Sequence, residues 1–242
     1  MILEDHHLAS ASDDGLGEEK NPIEAVRAQI AEAIINHQLL PRTKLGEERL
    51  AKALKVSRSR VREALARLEV ERMVVSVPNR GMFVAAPSVA EARQILHARR
   101  LIEGETVRLL AEGATARHCK ELRRCVEAEH KAWSEGDRHK AITLSREFHY
   151  LIAKLSGNQV LVDLLRNVVA RMSLAVALYD RPRQPDCIFD EHVELLEAIE
   201  KRDADRAVAI ALGHLDHLAE SLQHMDDTPA EPDLDTIFGA KQ

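Results

Sequence analysis

Three histidines in the second half of this chain occupy positions from which side chains can act together. His149 shares a helical stripe with Ile142, Ser145 and Ile152, and His192 shares one with Leu195, Leu196 and Ile199. His214 falls in line with Ala207, Ile210, Ala211 and Leu218. Residues three and four apart lie on one helix face. Each imidazole is therefore predicted to point into a packed interior, where three from three helices can converge as metal ligands. A single histidine on an apolar stripe is more often a hydrogen-bonded core residue, and spacing alone leaves both readings open. His217, one turn beyond His214, reads as solvent-facing. Arg99 and Glu103, four apart, read as an intrahelical ion pair worth about 0.2–0.5 kcal/mol.

A second cluster lies in "KVSRSRVREALARLE", residues 55–69. Ser57 is a natural N-cap, and Val61, Ala64, Leu65 and Leu68 form the inward stripe behind it. Arg58, Ser59, Arg60 and Arg62 crowd the first turns and must in part face outward. An α-helix fits the DNA major groove with its N-terminal residues at the base edges. The arginine fork suits guanine O6 and N7. The alternative is a solvated helix whose arginines pair with Glu63 and Glu69. Further on, two Val-rich runs flank "PNRG", so a hairpin is predicted with Asn79, Arg80 and Gly81 at its tip, a second point of contact with DNA backbone or minor groove.

The elements that must position these residues follow from periodicity and breakers. A helix starts at Pro22 with Val26, Ile30, Ile34 and Ile35 and fades near Gln38; "LLPRTKLG" interrupts it. A short helix over 47–54 precedes the arginine-rich one, and the hairpin follows. This is the order of a winged helix-turn-helix. From Ser88 onward the β signals vanish. Six helical segments are predicted at about 88–112, 115–135, 137–155, 158–180, 187–201 and 203–225, enough for an antiparallel bundle with its own core. The expected fold is mainly α with a small β-wing: an acidic disordered arm over 1–19, a DNA-binding domain over 20–86, a helical effector-binding and dimerisation domain over 87–226, and a flexible tail over 227–242. Trp133, Tyr150 and Tyr179 read as core or interface residues.

Charge supports that division. The chain carries a net charge of −6, yet residues 20–86 hold 13 Lys/Arg against seven Asp/Glu. A basic segment in an otherwise acidic chain suits a polyanion. With 45% apolar, 31% charged and only 3% aromatic residues, the composition favours helix packed on helix. Cys119, Cys125 and Cys187 form no CxxC pair and read as reduced thiols. The N-terminus "MILEDHHLAS" does not read as a signal peptide, and no apolar run is long enough to span a membrane. A cytoplasmic protein is the expectation.

"ERLAKALKVSRSRVREALARLE…NRGMFV" resembles the DNA-binding domain of the GntR family of bacterial transcription regulators, whose pattern reads roughly LxExxLAxxLxVSRxPVREALxxLxxxGLVxxxxxRGxxV. The resemblance covers residues 22–86. It implies DNA contact by Arg58 and Arg62, with Ser57 and Ser59 assisting and the wing contributing around Gly81. Arg60 replaces a usual proline, Glu48 stands where many members carry a basic residue, and Arg72 stands where glycine is common. "HARRLIEGETVRLLAE", "SREFHYLIAKLSGNQVL" and "EHVELLEAIEKRDADRAVAIALGHLDH" resemble the FadR-type C-terminal effector domain. That likeness implies that His149, His192 and His214 bind a divalent transition metal of the zinc, nickel or manganese class. It also places Arg99 near the effector cavity. Ser145 stands where the metal-dependent members have an aspartate ligand. A neutral hydroxyl is a poor ligand, which leaves a place for water or for an effector carboxylate.

The expected function is that of a DNA-binding transcription regulator, by default a repressor. As a homodimer on a palindromic operator it would answer to a small carboxylate held near Arg99 and Ser145. Two rivals belong to other classes. A metal-dependent enzyme could use the three histidines, but HExxH, GxSxG and Gly-rich phosphate-loop motifs are all missing. An effector-independent DNA binder would leave the helical half without a purpose.

Overall fold

The computed structural model describes residues 21–179 and 186–223. The expected arm over 1–19, the tail over 227–242, the "DRPRQP" stretch (180–185) and the Cys187 side chain lie outside the described residues.

The first helix, α1 (Pro22–Ile35), is capped by the Asn21 side chain, which accepts from Ile23 N at 3.0 Å, and Pro22 takes the first-turn position where its missing N–H costs nothing. It ends three residues before the sequence suggested, since Asn36 caps it and His37 turns to φ +57°. The segment read as a breaker also contributes a short strand, β1 (Lys44–Leu45). After it come α2 (Glu47–Leu54), α3 (Arg58–Val70), β2 (Val74–Val77) and β3 (Gly81–Val84). The sheet order is β1–β3–β2, antiparallel throughout, with Lys44 opposite Phe83 and Val77 opposite Gly81. Arg80 N donates to Val77 O at 3.0 Å, and Asn79 takes φ +61°, as the third position of a type II turn after Pro78 requires. Arg72, where relatives favour glycine, sits at φ +58°, a conformation that costs a side-chain-bearing residue about 1–2 kcal/mol. Val26, Ile30 and Ile34 of α1 meet Val61, Leu65 and Leu68 of α3 in one core.

The remaining elements are α4 (Val89–Gly113), α5 (Ala116–Ser134), α6 (Arg138–Leu155), α7 (Gln159–Tyr179), α8 (Asp186–Glu200) and α9 (Ala204–Gln223), matching the predicted segments. Ser88, Thr115 and Asp137 cap α4, α5 and α6 through their side chains. Gly136 (φ +77°) and Gly157 (φ +79°) supply the left-handed turns after α5 and α6 that other residues adopt only under strain. Two cores result. One joins α4 and α7 through Ile95, Leu96, Leu165 and Met172, and the other joins α4, α5, α6, α8 and α9 through Leu110, Leu122, Phe148, Leu196 and Ala211. Tyr179 is buried and donates to Pro87 O at 3.0 Å, while Trp133 and Tyr150 are half-buried.

The two halves are joined at helix ends. Leu174 of α7 completes the winged-domain core. Arg146 of α6 donates to the Asn36 cap of α1 at 3.2 Å, and Asn167 of α7 donates to Glu71 O, at the cap of α3, at 3.4 Å. His37 Nε2 lies 3.1 Å from Ser173 O.

Candidate metal centre and nucleic-acid interface

The three histidines converge. Their nearest ring nitrogens all lie within 4.8 Å of one another, and the ring centroids are 5.2, 5.1 and 5.0 Å apart. His149 and His192 are buried, and His214 is partly so. The stripes that carry them are those read from the sequence, except that Ile142, one stripe-mate of His149, is 46% exposed.

Each ring has a carboxylate behind it. His192 Nδ1 is 2.8 Å from Glu129 Oε2, and His214 Nδ1 is 2.6 Å from Glu191 Oε2. His149 Nδ1 lies 2.9 Å from Glu103 Oε2, close but off the line of a good hydrogen bond. The other nitrogen, Nε2, of both His149 and His192 is buried without any partner. A buried imidazole nitrogen with nothing to bond costs about 1–3 kcal/mol. Two of them aimed at a third ring fit a cation acceptor far better than a packed apolar core. The donor set, three imidazoles each backed by a carboxylate, is the arrangement that holds zinc-class ions.

The electrostatics agree with neutral rings. Burial lowers the His149 pKa, with Glu103 opposing only in part, and burial pushes His214 down to about 3. At Glu103 burial favours the neutral acid, but Arg99 and His149 outweigh it and hold the carboxyl well below its usual range. The sign for stability follows. Below the usual histidine value of 6.5 the unfolded chain takes up protons that the core refuses, so stability is full above that pH and falls as acid is added. Metal-free protein at about pH 5 should be less stable than at pH 7.5, His214 alone contributing a loss on the order of 2 kcal/mol. Urea unfolding at the two pH values measures this, and equal midpoints would contradict the burial of neutral rings.

Arg99 does form the intrahelical pair with Glu103, but as a buried contact, with Arg99 only 8% and Glu103 2% exposed. Its neighbour in space is thus the carboxylate behind His149. Ser145 lies one turn before His149 on α6, half-buried. His217 is 53% exposed as expected, yet its Nδ1 is 2.6 Å from Glu191 Oε1, so one carboxylate serves two histidines. Glu129 and Glu191 escaped the sequence reading. The signal for Glu129 was its place in line with Leu122, Val126 and Ala132 on an otherwise polar helix, and the structure buries it completely.

At the other end of the molecule, Ser57, Arg58, Ser59, Arg60 and Arg62 all stand exposed on the first turns of α3. Ser57 caps the helix, accepting from Arg60 N at 3.4 Å, and lies 2.9 Å from Ser59 Oγ. The expected acidic partners are engaged elsewhere: Glu63 with Arg67, and Glu69 with Ser76 N. Arg62 instead forms a two-pronged contact with Glu47 of α2, at 2.9 and 2.8 Å, and Arg58 approaches the same carboxylate at 3.8 Å. Glu47 was missed because its partner lies 15 residues away on another helix. Arg80 and Gly81 are exposed at the wing tip, Arg80 stacked 5.5 Å over Phe83.

The family model for bacterial regulatory proteins of the gntR family matches residues 22–84, and that for the FCD domain matches residues 94–217. The chain belongs to the GntR family. Its FCD half holds the histidine cluster, and its GntR half holds the arginine-rich helix. This GntR regulator is 26% identical over 210 residues to the HTH-type transcriptional repressor RspR of Escherichia coli K12, covering 85% of this chain and 92% of that protein. It is 28% identical over 240 residues to the Glc operon transcriptional activator of the same organism, covering 86% and 92%. A GntR-type transcriptional regulator from Rhodococcus sp. RHA1 shares the fold with a TM-score of 0.76 at 22% identity, over 86% of this chain and all of that one. E. coli McbR/YncC does so with the same score and identity, over 83% and 96%. The protein is a DNA-binding transcription regulator. Among the described residues no helix is long and apolar enough to cross a membrane.

Proposed function

We propose that this GntR regulator is a homodimer whose operator affinity is set by a small carboxylate, bound in the FCD domain beside a divalent transition metal on His149, His192 and His214. The observation that carries this reading is the pair of buried, partnerless Nε2 atoms facing a third ring. A metal there supplies Lewis acidity and open coordination positions. Ser145 leaves one side of the cluster without a charged ligand, where an effector carboxylate can enter, and the buried Arg99 adds positive charge nearby.

On this reading residues 20–86 read DNA through Arg58, Arg60 and Arg62, with Ser57 and Ser59 positioning the helix and Arg80 and Gly81 touching the backbone from the wing. Residues 87–226 bind the effector and pair the subunits. Leu101 on α4 and Val160 and Leu164 on α7 are 65%, 69% and 51% exposed, and these helices pack against each other, offering a self-complementary apolar face. An effector acts only through unequal affinity for two arrangements of the domains. A route exists for that: α6 carries His149 and, one turn earlier, Arg146, which grips the end of α1, while α1 packs on α3. Repression is the proposed sign of control, as the name of RspR indicates for that relative.

The test begins with duplexes selected by the purified protein from a random pool, in zinc-containing buffer. Recovered sequences should share a palindrome whose half-sites lie about one helical turn apart. Chelating dicarboxylates and tricarboxylates should then weaken binding only while zinc is present. A pool with no common palindrome would sink the operator-binding dimer. Loss of binding that ignores zinc would sink the metal-assisted effector.

A further inference from the structure

The histidine cluster is more acidic than a metal site needs for its ligands alone. Glu103 comes from α4, Glu129 from α5 and Glu191 from α8, one behind each imidazole, while Arg99 is the cation paired among them. Three acidic side chains and one guanidinium therefore surround three imidazoles. Glu129 is 0% exposed, and its second oxygen, Oε1, has no hydrogen-bond partner. An unneutralised carboxylate at such depth is costly unless a positive charge lies close by.

We propose that Glu103, Glu129 and Glu191 are positioning residues of the cluster. Glu129 and Glu191 each hold a proton on Nδ1 of the imidazole they bond and so leave its Nε2 lone pair free, while Glu103 faces Nδ1 of His149 at 2.9 Å. The geometry assigns each role separately. The carboxylate contacts reach Nδ1 in all three rings, and the atoms left bare in His149 and His192 are both Nε2. A carboxylate hydrogen-bonded to Nδ1–H also raises the donor strength of the opposite nitrogen. Glu191 differs from the other two: its second oxygen is held by the exposed His217, which ties this carboxylate in place from the solvent side.

The inference rests on the metal-centre reading for its affinity measurement only; its tautomer measurement is independent of any metal. Long-range ¹⁵N–¹H spectra of the chelator-stripped full chain should show a ring proton on Nδ1 of His192 and of His214, with Nε2 bare. An Nε2–H tautomer or a charged ring at neutral pH in either of them would overturn the assignment for that pair. In zinc competition against a chromophoric chelator, Glu129→Gln and Glu191→Gln should each weaken binding about 10–100-fold, the range for removal of such an outer partner. Glu129 is wholly buried and its variant can fail to fold, so Glu191→Gln, on a partly exposed side chain, carries the same comparison. Zinc affinity within about twofold of wild type in folded Glu191→Gln would overturn the proposal. If the wild type takes up no zinc at all, the metal-centre reading fails by itself, and the tautomers still decide whether the carboxylates position the rings.

Discussion

A variant carrying His149→Ala and His192→Ala is expected to bind no zinc, nickel or manganese, where wild-type protein purified without an affinity tag or chelator is expected to carry about one ion per chain. Both rings are buried with a bare Nε2, and their ligand atoms lie within 4.8 Å of that of His214, so losing them leaves His214 as one imidazole with no partner ligands. The affinity loss must exceed the 10–100-fold expected when only an outer carboxylate is changed. Stability offers a second readout. Free metal at about 100 times its Kd should stabilise the wild type by about 2.7 kcal/mol and the double variant by nothing. The variant will be less stable without metal, because Glu103 and Glu129 lose the rings they face. Far-ultraviolet circular dichroism and retained DNA binding separate a folded, metal-blind protein from an unfolded one. Full metal content in the folded variant would remove these two histidines from the site.

Arg62→Ala and Arg58→Ala should each weaken binding to the selected duplexes by about 1–3 kcal/mol, roughly 5–150-fold, and relax the preference at one base pair. The larger loss is expected for Arg62. Its fork is oriented by Glu47 at 2.9 and 2.8 Å, and removing it leaves that carboxylate without its closest cation on the face where phosphates arrive. Arg58, 3.8 Å from the same carboxylate and without a hydrogen bond to it, is less constrained and less costly to lose. Arg67→Ala is the control. It lies on the same helix but pairs with Glu63 and Glu24, away from the N-terminal turns, and should leave affinity nearly unchanged. Fluorescence anisotropy at two salt concentrations tests both points. Unchanged affinity in Arg58→Ala and Arg62→Ala together would remove α3 as the reading helix.

Much of this molecule is legible in one dimension because helices advertise themselves locally. Periodicity of 3.6, side-chain caps at Asn21, Ser57, Ser88, Thr115 and Asp137, and turn residues at Gly136, Gly157 and Pro78–Asn79 are all short-range features, and they set the winged helix-turn-helix order and six later helices. The same periodicity placed three histidines on inward stripes and a run of arginines at an exposed helix start. Residue type and spacing therefore determined which chemistry was available. They could not determine who stands behind it. Glu129 meets His192 across 63 residues, and Glu191 meets His214 across 23, pairings that no local pattern encodes. Glu47 reaches Arg62 only once α2 and α3 have packed, and β1 is a strand only because β3 lies beside it. The grip of α6 and α7 on the ends of α1 and α3 likewise exists only in the folded chain. Local free energy chooses the elements. The partners of buried charges, and hence the acidity and aim of the histidines, are chosen by which helices end up face to face.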